Sequence, residues 1–283
     1  MKKAIFIPIL IALVSCVDKK SESVNDSKQQ EINTNKTIKA KKEESLSKEL
    51  NKAIVLGNYT GKIGSNLEVA FHLPNSNGVI DGFYYYNKIG VDIKVVGTVV
   101  TDSLVAYELN YKNDTLAILK GKISDAAIKG KWISTQRKKE LPFTLEKTDT
   151  AITPLPENIE GEYYNDICDV TLTFAKTKGE YYYTYKSNER TLTGKLSFSR
   201  GDDLYINLTE IEYAEDYFDV ALFEEDPKKE KEYAKLKEIG KRRVGVECYY
   251  SPDELTIQNY GNAMNYYVKL NDCSEKYIHF KKQ

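Results

Sequence analysis

The stretch VDIKVVGTVV, residues 91–100, puts Val91, Ile93 and Val95 on one side of an extended chain and Asp92 and Lys94 on the other. Alternation with a period of two is the pattern of a β-strand with one buried and one wet face. This feature constrains the fold more than any other, because from residue 54 onward it recurs in short runs broken by Gly, Asn and Asp. In residues 54–149 the runs are GNYTGKI, LEVAFHL, VIDGFYYYN, VDIKVVGTVV, SLVAYELNY, TLAILKGKIS, IKGKWIST and LPFTLEK. Short turns between them favour antiparallel neighbours. The reading is an up-and-down meander that closes into a small barrel and so removes its exposed edges. A curled open sheet is the alternative.

Residues 150–158 contain AITPLPEN, whose two prolines read as a linker. The pattern then restarts over residues 159–283. Gly57 and Tyr59 recur as Gly161 and Tyr163, and Phe71 as Phe174. Gly82-Phe83-Tyr84-Tyr85-Tyr86 with Gly97 recurs as Gly179-Glu180-Tyr181-Tyr182-Tyr183 with Gly194. The two halves therefore read as divergent copies of one β unit. The second carries a charged insertion, residues 210–243. Residues 201–227 hold ten acidic and no basic side chains, whereas 228–243 hold eight basic and three acidic ones. Tyr233, Leu236 and Ile239 share one side of a short helix expected over residues 228–239.

Ahead of the β units, IALVSCVD ends an apolar run abruptly. Lys2 and Lys3, the apolar residues 4–14 and the small Ser15 before Cys16 make a secretory signal. Spanning a bilayer takes about 20 apolar residues, so this run is too short to be a membrane helix. Leu13-Val14-Ser15-Cys16 resembles the lipobox of bacterial lipoproteins. The resemblance implies removal of residues 1–15 and acylation of Cys16. Each buried methylene then contributes about 0.8 kcal/mol of anchoring. Residues 16–53 lack aromatic side chains, are rich in Lys, Glu, Ser and Asn, and read as a disordered tether reaching about 30 Å. Residues 257–267, IQNYGNAMNYY, with the segment Cys273 to His279 after them, resemble uncharacterised secreted β-rich lipoproteins, and the Lys, Asn and Tyr bias resembles that of Bacteroidota proteins. On that resemblance Asp18 is not a retention signal for the inner membrane, and the outer membrane is the expected address, on its periplasmic face or at the cell surface.

A formal net charge of −1 gives no basic footprint, so no nucleic-acid partner is expected. The membrane is expected to be a partner through the lipid anchor alone. There are two histidines, His72 and His279, and no HExxH, GxSxG, Walker, dinucleotide or CxxC pattern. No catalytic residue, cofactor or metal is expected, and the chain reads as a non-catalytic binding module. Cys168, Cys248 and Cys273 all fall in the second unit. In a closed meander the last strand lies beside the first, which brings Cys273 near Cys168 and favours a disulfide between them. Asp102-Ser103, Asp114-Thr115 and Asp149-Thr150, each followed by an apolar residue, resemble the Bacteroidota O-glycosylation acceptor, with Ser103, Thr115 and Thr150 as the modified positions. Glu215, Asp216, Asp219 and Glu224 are the candidate contacts to a cationic envelope protein, unless the basic segment that follows folds back on them. The alternative is a glycan or small apolar ligand held by a barrel mouth or by exposed tyrosines.

Overall fold

The structure, a computed structural model, describes residues 56–216, 231, 243–263 and 265–283. The tether, Cys16 and the short helix expected over 228–239, Lys231 excepted, lie outside the described residues. Within them the protein is all-β and built from two tandem eight-strand barrel-like sheets.

The first sheet contains β1 (Asn58–Ile63), β2 (Leu67–His72), β3 (Asn75–Ser76), β4 (Val79–Tyr86), β5 (Ile93–Val100), β6 (Ser103–Leu109), β7 (Thr115–Ile123), β8 (Ala127–Ser134) and β9 (Glu140–Thr148). Each long strand pairs antiparallel with its neighbours in sequence, and β9 returns to β1. The ring is completed where β2 meets β4, from Val69 opposite Tyr86 to His72 opposite Phe83. Eight strands leave an interior just wide enough for side chains to fill. Here Tyr59, Phe71, Tyr84, Leu104, Leu119 and Phe143 are among those that fill it. Phe71 stacks on Tyr84 with ring centroids 4.3 Å apart. Gly121 lies opposite Gly130 across β7 and β8, and a Cβ on Gly121 would come within 2.9 Å of the Phe143 ring. That glycine is what lets the ring cross the interior.

The second sheet is a closed barrel of β10 (Gly161–Asn165), β11 (Val170–Thr177), β12 (Glu180–Lys186), β13 (Thr191–Arg200), β14 (Leu204–Glu212), β16 (Val244–Ser251), β17 (Glu254–Gln258) and β19 (Tyr277–Lys282). A side ribbon pairs β15 (Glu215–Asp216) with β18 (Tyr267–Val268). The two barrels share a register. Tyr59, Phe71 and Tyr84 lie opposite one another across β1, β2 and β4, and Tyr163, Leu172 and Tyr185 do so across β10, β11 and β12. The matching spacing of the two Gly-Tyr runs is not this equivalence, because Gly97 faces Ile80 whereas Gly194 faces Tyr183. Glycine and tyrosine are frequent enough here to align without sharing a ladder position.

The connector is packed against both barrels. Ile152 buries against Ala70 and Tyr85, while Leu155 and Ile159 enter the core of the second barrel. Sequence alternation assigns Val91 and Asp92 to a strand, but β5 begins at Ile93 and Asp92 is diverted to the junction. Its Oδ1 meets the Arg200 guanidinium at 2.7 Å and its Oδ2 accepts the Leu155 N–H at 2.8 Å. The Arg200 guanidinium also lies 4.1 Å from the centre of the Tyr85 ring, a cation–π contact. The Phe198 N–H donates to the Ile89 carbonyl at 2.9 Å, and Gly90, at φ +71°, lies so close to Phe198 that a Cβ would fall on its carbonyl oxygen. The Arg200 side chain is 8 % exposed. Removing one partner of such a pair costs about 3 kcal/mol because the other is left without its counter-charge. Arg200→Ala should therefore lower the denaturation midpoint and open residues 150–158 to proteases. An unchanged midpoint with the connector still resistant would show that the clasp does not hold the barrels together.

Candidate functional site

In β6 the side chains of Leu104 and Ala106 point into the first barrel, and the two-residue period sends Glu108 in after them. Its side chain enters where the ladder between β6 and β7 shifts register, between Glu108 and Leu109. A bulge of this kind re-aims a side chain and is common beside functional sites. Glu108 is 7 % exposed, an isolated carboxyl group in an otherwise apolar interior. The Tyr84 hydroxyl donates to its Oε2 at 2.8 Å and the Trp132 indole N–H to the same oxygen at 2.9 Å. Oε1 accepts no hydrogen bond from the described residues. The Tyr86 hydroxyl sits 3.3 Å from that of Tyr84, and the two rings meet edge to face. Burial, then the Glu108 charge and the neighbouring Tyr86, push the Tyr84 phenol well above its ordinary value, so it remains a donor. Glu108, Tyr86 and Trp132 stand near the ends of their strands, at the mouth ringed by the turns 64–66, 87–92, 110–114 and 135–139. Tyr86, Trp132 and Leu141 are half-buried there.

The second barrel places a carboxylate beside the equivalent tyrosine by another route. Asp272, in the loop before β19, is bound by Arg190 through Nε to Oδ2 and NH2 to Oδ1, both at 3.1 Å. Tyr185 is fully buried next to this pair without a hydrogen bond of good geometry to either. Burial and the Asp272 charge hold its phenol well above the ordinary range. Burial pushes the Asp272 carboxyl up, but the paired hydrogen bonds from Arg190, with the nearby Ser187 and Tyr185 hydroxyls, outweigh it and hold the group below the usual carboxylate range.

The residues expected from sequence fall as follows. Cys168 and Cys273 are joined in a disulfide, with Cα atoms 5.3 Å apart. Asn165 prepares the junction: its Oδ1 accepts the Cys168 N–H at 2.7 Å and its Nδ2 donates to the His279 carbonyl at 2.9 Å. Cys248 is a free thiol in the core, pushed up to about 12 by burial. Cys168, Cys273 and Glu275 are the one grouping of metal-ligating residue types among the described residues, and its two sulfurs are already bonded to each other. Ser103 opens β6 with its Oγ beside Asp102 and the Lys122 ammonium. Thr115 opens β7 half-buried, and Thr150 follows β9 in the open. Glu215 is exposed on β15. Asp216 is taken by Arg243, whose Nε lies 2.9 Å from Oδ1 and whose guanidinium also sits over the Tyr213 and Tyr267 rings. Asp219 and Glu224 lie outside the described residues. The stretch IQNYGNAMNYY serves the loop that carries Asp272: buried Asn259 donates to the Leu270 and Cys273 carbonyls and accepts the Leu270 N–H.

Glu108 and Trp132 are not among the residues expected from sequence. Their signal was phase: Glu108 continues the inward series Leu104, Ala106 in SLVAYELNY. Comparison with known proteins gives no match: no family model, curated protein or solved structure matches the chain.

The Arg190–Asp272 pair makes stability of the second barrel depend on pH. A carboxyl group held low contributes stability that is complete above its unfolded value of about 3.9 and is lost as pH falls through the lower folded value. Near-ultraviolet circular dichroism, followed from pH 5 to roughly pH 2, should show tyrosine packing loosening in that window, and Arg190→Gln should weaken the dependence. Identical acid profiles for the two proteins would contradict the assignment.

Proposed function

We propose that this chain is a lipid-anchored, non-catalytic binding protein of the cell envelope, tethered through Cys16 to the outer membrane, whose ligand site is the mouth of the first barrel. The lipobox-like LVSC sequence supports the anchor. One observation carries the site: a carboxyl group 7 % exposed at a half-buried aromatic rim, with one oxygen held by Tyr84 and Trp132 and the other without a hydrogen bond among the described residues. Concave, largely apolar sites with a few convergent polar groups are where proteins hold small ligands. A polar group in such a place is costly to folding unless something complements it.

The acidic insertion supports a protein partner less well, because Arg243 already neutralises Asp216. Glu215 remains exposed for such a contact. Trp132 is the sole tryptophan, so its emission reports on the mouth directly. Adding a low-molecular-weight envelope extract to the full chain should change that emission saturably, and Cys16→Ala should move the protein out of the membrane fraction without altering the response. An unresponsive Trp132, together with retention of a basic envelope protein that Glu215→Gln abolishes, would replace this reading with the protein-partner one.

A further inference from the structure

The two barrels complete the same arrangement to different degrees. Tyr84 and Tyr185 occupy one position in the shared register, both fully buried, each with a carboxyl group beside it. In the second barrel the chain supplies the cation as well. Arg190 comes from the turn between β12 and β13, forks across both oxygens of Asp272, and places its guanidinium 5.9 Å from the centre of the Tyr185 ring.

In the first barrel the corresponding turn, between β4 and β5, supplies no cation to Glu108. Its one basic residue, Lys88, is exposed and makes no ion pair or hydrogen bond among the described residues. The rest of the turn is committed elsewhere, through Ile89, Gly90 and Asp92, to the second barrel. The donors that do reach Glu108 are neutral, and both meet Oε2.

We infer that the mouth of the first barrel binds an organic primary ammonium ion, its charge on Oε1 of Glu108 and its aliphatic part against Trp132 and Tyr86. The inference rests on the reading of that mouth as the ligand site, and adds the chemical class of the ligand. Three physical points favour the ammonium. A carboxylate buried to this degree is stabilised by a partner of opposite charge. Half-buried tyrosine and tryptophan faces attract a cation that has left water. Only one oxygen is open, which suits the compact ammonium with its rotatable donors; a guanidinium gains its full two-bond geometry only where both oxygens are open to it, as Arg190 has at Asp272.

The test titrates the full chain with n-butylamine, n-butylguanidine and n-butanol, following Trp132 emission and confirming affinity by calorimetry. The amine should bind at least about tenfold more tightly than the alcohol, a difference of roughly 1.4 kcal/mol, and more tightly than the guanidine. Glu108→Gln should bring the amine down to the level of the alcohol. Comparing the charged and neutral probes on the unaltered protein needs no variant to fold. Equal binding of amine and alcohol would overturn the ammonium while leaving the mouth as a binding site. Preference for the guanidine would overturn the one-oxygen geometry. Binding of none of the three at concentrations that saturate simple amine sites would overturn both this inference and the reading beneath it.

Discussion

Closing eight antiparallel strands into a ring is the constraint on which everything else here depends. Once β2 has met β4, and β10 has met β19, every second side chain points into a space that only side chains fill. The interiors are accordingly dense with Tyr, Phe, Leu and Ile. Glu108 and Asn165 enter near the ends of their strands, and Asp272 lies in a loop. Closure also brings together residues far apart in sequence: it sets the loop before β19 beside the start of β11, where Cys168 and Cys273 bond across a separation of 105 residues.

The junction between the barrels and the candidate site use the same turn. Residues 87–92 leave β4 just after Tyr86, carry Ile89 and Gly90 onto Phe198, and end at Asp92 in the grip of Arg200 and Leu155. Fixing this turn fixes one rim of the mouth in which Tyr84, Tyr86 and Glu108 meet. The proposed ligand site is thus held by a junction to a second barrel that has an internal cation in the equivalent place. That contrast, Arg190 on Asp272 against an open oxygen on Glu108, is the physical basis for proposing that one barrel is complete in itself and the other awaits a ligand.

The strands were legible because their signal is local. Alternation in each of the eight runs of the first unit marks a strand, and the barrel-like closure of both units follows from short turns and the cost of open edges. Asp92 was misplaced because period alone cannot tell a strand end from a turn drawn aside by a distant arginine. Glu108 was legible in principle, since it lies in phase with Leu104 and Ala106, but an acidic residue near a strand end ordinarily faces water. The donors that make it a site, Tyr84 and Trp132, each stand 24 positions away, on strands two places from β6 in the sheet, and meet it across the curled interior. Asp272 and Arg190 are 82 positions apart and carry no local pattern at all.

If Glu108 is present for binding, the unliganded fold should not need its charge. Gln at that position keeps an acceptor for Tyr84 and Trp132 and removes the cost of burying a carboxylate. Urea denaturation of the ligand-free protein, read by Trp132 emission, compares Glu108→Gln with the native chain directly. The account predicts a midpoint equal to or above the native one. A midpoint lowered by an amount worth about 2 kcal/mol or more would contradict it, because Glu108 would then be a structural anchor of the barrel and not a site held open for a ligand.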